Sequence, residues 1–103
     1  MNNTPTKIIK TAVVGLGGRG LYFAKAYSQQ SHPGFDLRAV CDLDESKLAA
    51  ARKKLGEDIQ YFQSLEEMLQ TADIDALIVA TNDPHHVQPA LAALAAGKHV
   101  LVE

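Results

Sequence analysis

"IIKTAVVGLGGRG", residues 8–20, is the stretch on which the fold turns. Ile8 to Gly15 is rich in β-branched residues and stops at glycine, the pattern of a buried strand. From Gly18, Leu21, Ala24 and Tyr27 or Ser28 recur at helical spacing through "GRGLYFAKAYSQQ", until "SHPG" (Ser31 to Gly34) breaks the pattern. Between strand and helix, Gly15, Gly17 and Gly20 stand in G-x-G-x-x-G spacing. Each glycine has a physical task there: the tight turn at Gly15, room for a pyrophosphate against the backbone at Gly17, and close helix-to-strand packing at Gly20. Phosphates would then meet free amides at a helix start, with Leu16, Gly18 and Arg19 in the same loop.

The alternation of strand and helix patterns continues outward from this stretch. "FDLRAVCD" (Phe35 to Asp42) reads as a second strand with Phe35, Leu37, Ala39 and Cys41 on one side. "DESKLAAARKKLG" (Asp44 to Gly56) has an N-cap candidate, an early acid, late bases and a terminal glycine, so both ends suit the helix dipole. "IQYFQ" (Ile59 to Gln63) is a short strand, and "SLEEMLQ" opens a helix with Ser64 and Glu67 in capping-box spacing. "IDALIVAT" (Ile74 to Thr81) is nearly all apolar, as a central strand covered on both faces should be. A helix beginning near His86 keeps Pro89 in its first turn and stops at Gly97. "KHVLVE" (Lys98 to Glu103) completes five strands and four helices in alternation.

Connections this short predict a Rossmann-type, doubly wound parallel sheet in three layers, α/β/α, with strand order 3-2-1-4-5. Residues 1–7 are expected as a flexible N-terminus and residues 8–103 as one domain. Ligands of such sheets lie beyond the carboxyl ends of the strands, beside the first strand, where the winding reverses.

Composition narrows the function classes. Of 103 residues, 47% are hydrophobic and 21% charged, with a formal charge of -2 and acids and bases interspersed. No basic stripe marks a nucleic-acid partner, and no apolar run is long enough to cross a membrane. The single cysteine, Cys41, suits a reducing compartment, which makes the cytoplasm the expected location. No histidine and acid set has metal-ligand spacing, and no nucleophile–base pair stands out.

Three loops remain as the candidate site. Asp42 closes the second strand 22 residues after Gly20, where an acid accepts hydrogen bonds from ribose hydroxyls; a capping or solvated aspartate is the alternative. A carboxylate there repels a 2′-phosphate, so NAD is favoured over NADP. Arg19 either reaches a phosphate or caps locally, and Lys47 is read on the outer face of its helix. "ATNDPHH" (Ala80 to His86) ends the fourth strand on the same edge. Thr81 and Asn82 can line the middle of a dinucleotide, with Ala80 beside them as a further cofactor-binding candidate, and His86 can face the cleft; ordinary turn and capping chemistry is the alternative.

Taken together, "VVGLGGRG", "AVCDLD", "ATNDPHH" and "ALAALAAGKHVLVE" resemble the N-terminal half of the Gfo/Idh/MocA family of nicotinamide-dependent oxidoreductases, over Ile8 to Glu103. The resemblance implies a longer, two-domain protein that moves hydride to or from a sugar or polyol. It implies phosphate contacts at Gly15, Gly17 and Gly20, a ribose acid at Asp42, Thr81 at the start of the strand-four loop with His86 as its histidine, and Glu103 beside the nicotinamide. The family places a Lys-Pro after the residue matching Glu103, and that lysine is catalytic. The chain is accordingly expected to bind cofactor and not to turn over. The family usually reads Thr-Pro-Asn where this chain has Thr81, Asn82 and Asp83. Relatives with this glycine loop also include NAD-holding glycosidases, and a non-catalytic sensor is a third reading. The exposed edge of the fifth strand predicts self-association.

Overall fold

The computed structural model describes residues 8–28, 34–81 and 87–102. Along them run β1 (Ile9–Val14), α1 (Gly18–Ser28), β2 (Phe35–Cys41), α2 (Glu45–Leu55), β3 (Gln60–Phe62), α3 (Leu65–Thr71), β4 (Ala76–Val79), α4 (Val87–Ala95) and β5 (His99–Val102). The strands pair in parallel in the order β3-β2-β1-β4-β5, the doubly wound arrangement that the sequence predicts. The N-terminal segment 1–7, Asn82 to His86 and Glu103 lie outside the described residues.

Side chains alternate between two apolar layers. Val13, Val40 and Ile78 face α1 and α2, meeting Ala24, Tyr27 and Ala51. Ala12, Val14, Leu77 and Val79 face the other way, toward Met68 of α3 and Ala93 of α4. β4 is thus buried on both faces, which is why its sequence is a continuous apolar run. The seven-residue α3 is too short to persist alone. Its Met68, fully buried, contributes roughly 2 kcal/mol of transfer free energy that fixes the helix to the sheet.

One alternation fails. Leu37 and Ala39 were expected on one side of β2, yet Leu37 packs in the α1/α2 layer while Ala39 and Cys41 pack in the α3/α4 layer. Thr11 pairs with Leu37 and Ala12 with Ala39, so the register skips Arg38. The extra residue is a bulge that reverses the facing of everything before it. Phe35 accordingly meets Tyr27 of α1, with ring centroids 5.3 Å apart.

Helix ends follow their sequence signals. Asp44 accepts from the Ser46 N–H at 2.8 Å, and Ser64 Oγ accepts from the Glu67 N–H at 3.1 Å. α2 ends at Gly56, at φ +86°, whose N–H reaches the Arg52 carbonyl. β5 pairs only with β4 among the described residues, leaving Leu101 and Val102 about half exposed.

Candidate functional site

Beyond the carboxyl ends of the strands lies a cleft of about 420 Å³, bordered by the loops after β1, β2, β3 and β4. The ladder of the sheet continues into these loops. Gly15 N–H donates to the Cys41 carbonyl at 2.9 Å, Ala80 N–H to Val14 at 2.9 Å and Asp42 N–H to Phe62 at 3.1 Å. The cleft floor is therefore fixed by the sheet itself.

The glycines divide by what holds them. Gly15 sits at φ +93°, and a Cβ there would lie 2.8 Å from the backbone of Ala80 and Thr81. A Cβ on Gly20 would lie 1.7 Å from the Gly15 carbonyl oxygen. Both are glycine because the fold leaves no room. Gly17 differs: nothing lies within 4 Å of a Cβ built there, it is exposed, and it lines the cleft. The fold makes no demand for glycine at that position, whereas a ligand approaching the backbone does.

Asp42 binds this loop directly. Its Oδ2 accepts from the Leu16 N–H at 2.8 Å and its Oδ1 from the Asp44 N–H at 2.8 Å. A carboxylate has about four acceptor positions, so two remain for hydroxyl donors. Next to it, burial pushes the Cys41 thiol up to about 11, helped by the Asp42 charge, which leaves a neutral thiol in the cleft wall at physiological pH. Across the cleft, Thr81 Oγ1 is buried and has no hydrogen-bond partner. An unmet buried hydroxyl costs about 1–3 kcal/mol, a cost that a bound polar group would remove.

The structure thus brings Gly15, Leu16, Gly17, Asp42, Ala80 and Thr81 together around one cleft. Gly20 is buried behind the loop as a packing position. Gly18 and Arg19 are exposed on the first turn of α1 and do not line the cleft, since successive helical residues point in different directions. Asn82, His86 and Glu103 lie outside the described residues. Lys47, expected on the outer face of α2, is exposed but lines the cleft, because the first turn of α2 borders it.

Sequence reasoning missed Leu43, Gln63, Leu65, Gln88 and Pro89, which also line it. The strand order alone could have indicated Gln63, which follows β3 next to β2. Its Nε2 donates to the Leu43 carbonyl at 3.0 Å.

A glycine loop at a strand-to-helix turn, tied to an acid at the end of the neighbouring strand, defines a dinucleotide-binding α/β domain. A sequence model of the Gfo/Idh/MocA oxidoreductase family, with its NAD-binding Rossmann fold, matches residues 9–103, and the chain belongs to that family. A glycosyl hydrolase family 109 protein of Bacteroides fragilis is 33% identical over 105 residues, 93% of this chain and 22% of that protein. Inositol 2-dehydrogenase of Klebsiella pneumoniae is 30% identical over 95 residues, 92% of this chain and 28% of that one. The scyllo-inositol dehydrogenase of Lactobacillus casei, solved with NAD(H) and scyllo-inositol, superposes with a TM-score of 0.84 at 34% identity. That match covers 93% of this chain and 28% of the dehydrogenase. The chain therefore spans less than a third of the length of each of these relatives.

Among the described residues, no helix is long and apolar enough to cross a membrane, and no group of three or more His, Cys, Asp or Glu could hold a metal ion.

Proposed function

We propose that this chain binds NAD across the cleft. The pyrophosphate would lie on the amides around Gly17, the adenosine ribose on Asp42, and the nicotinamide end toward Ala80 and Thr81, and Asn82, His86 and Glu103 are proposed as further cofactor contacts. The observation that carries this reading is the Asp42 carboxylate, hydrogen-bonded to the glycine loop at 2.8 Å and holding acceptor capacity in reserve. When bound, NAD supplies a hydride acceptor, and the chain's own residues bind and orient it.

NAD is preferred over NADP, because a 2′-phosphate would meet Asp42 with like charge. Lys47 at the rim tempers that repulsion without reversing it, since its exposed ammonium is solvated. Calorimetry of the chain with each dinucleotide tests both points. The expected result is binding of NAD with weaker binding of NADP; no heat with either at millimolar concentration overturns the assignment.

The whole protein to which this domain belongs acts on a sugar or polyol by hydride transfer, a reading supported by the two inositol dehydrogenases among its relatives. A glycosidase reaction is the second reading, favoured by the 33% identity to a family 109 glycosyl hydrolase. A non-catalytic sensor is disfavoured by the intact loop and acid. The lone cysteine, Cys41, fits a cytoplasmic location. Copies of the chain associate through the outer edge of β5, where Leu101 and Val102 are about half exposed. Light scattering is expected to show dimers or larger species, and a clean monomer at high concentration contradicts this.

A further inference from the structure

The sheet order lays the loops in a row from β4 through β1 and β2 to β3. A dinucleotide whose adenosine ribose meets Asp42 must send its base toward the loop after β3. Gln63 is the first residue of that loop, is exposed, and lines the cleft. We infer that Gln63 reads the base and makes the site selective for adenine, an inference that rests on the dinucleotide reading above.

The carboxamide of Gln63 is held in place. Its Nε2 donates to the Leu43 carbonyl at 3.0 Å, and the Asp42 N–H donates to the Phe62 carbonyl at 3.1 Å. The turn carrying Gln63 is thus tied twice to the turn carrying Asp42. One amide N–H is committed to Leu43, leaving the second N–H and the acceptor Oε1. That donor–acceptor pair complements the amino group and N7 of adenine, the edge that Gln commonly reads. Hypoxanthine carries an oxygen in place of the amino group and presents two acceptors, so Oε1 would face an oxygen. Leu43, 84% exposed, and half-buried Leu65 border the same end of the cleft and offer apolar surface to the ring faces.

The test compares NAD with nicotinamide hypoxanthine dinucleotide by calorimetry on the 103-residue chain and on its Gln63→Ala variant. Gln63 is exposed, so the variant should keep its melting temperature, which thermal denaturation checks. The wild type should favour NAD by roughly fivefold, the lower end for a bidentate pair because the site is open to water. Gln63→Ala should weaken NAD and abolish the preference. Equal affinities in the wild type overturn the inference. So does a preference that survives in the variant, or an equal loss for both dinucleotides, which would make Gln63 only a brace between turns. Failure of the wild type to bind NAD at all removes the dinucleotide reading itself, and this inference with it.

Discussion

α1 and α2 occupy equivalent places in successive strand–helix units and pack on the same face of the sheet, yet they begin in opposite ways. A helix start leaves four N–H groups unmet by the helix. At α2 a side chain meets one of them: Asp44 accepts from the N–H of Ser46 as well as from its hydroxyl, and Glu45 adds negative charge. The first turn of α1 holds Gly18, Arg19 and Gly20 and no acid. Two helix starts on one scaffold therefore differ in chemistry, one closed by an aspartate cap and one built from glycines without an acid, the kind of start that suits an anion. The contrast teaches that a helix start built from glycines carries information when its neighbour shows that this scaffold can supply an acidic cap.

The sharpest way to break this contrast is at Gly20. Its Cβ would strike the Gly15 carbonyl oxygen, so Gly20→Ala must displace either the loop or α1. Overpacking of this kind costs about 1–3 kcal/mol or more, and thermal denaturation should show a large drop in Tm together with loss of NAD binding. Gly17→Val sharpens the contrast instead, because its Cβ meets nothing within 4 Å. Stability should change by less than about 0.5 kcal/mol. NAD affinity should nevertheless fall about tenfold or more by calorimetry. A Gly17→Val variant that binds NAD normally would remove the argument that a ligand demands this glycine.

The smallest effect lies at the closed helix. Hydrogen bonds from the Ser46 hydroxyl and N–H hold the Asp44 carboxyl below its ordinary value. A lowered folded value means that this stabilisation is present above the ordinary carboxylate range and is lost as pH falls through the lowered value. Between about pH 5 and pH 2 the Tm of the wild type should approach that of Asp44→Ala. A Tm difference that stays constant over that range would show that the cap does not depend on ionisation.

Much of this was legible in the sequence. Asp44, Gly56 and Ser64 announce their helix ends because a cap is a local matter, decided within three or four residues. The unbroken apolar run Ala76–Val79 announced a central strand because burial on both faces leaves no polar position. Leu37 was misassigned because the bulge at Arg38 is set by pairing with β1, and nothing within β2 marks it. Lys47 and Gln63 were not foreseen in the cleft because their entry depends on where α2 and β3 lie against neighbours distant in the chain.

The sequence by itself determined the order and kind of every described element, the winding of the sheet, and the pairing of a glycine loop with an acid. Periodicity, caps and breakers act over a few residues, and short connections constrain the topology. The spacing assigned each glycine its task, and only the tertiary structure decided which atoms enforce it: backbone at Gly15 and Gly20, and nothing within 4 Å at Gly17. Gly15 is constrained by Ala80 and Thr81, about 65 positions along the chain, and Asp42 reaches Leu16 across 26. Contacts at that separation are set by the registration of strands in the sheet, which no local pattern encodes.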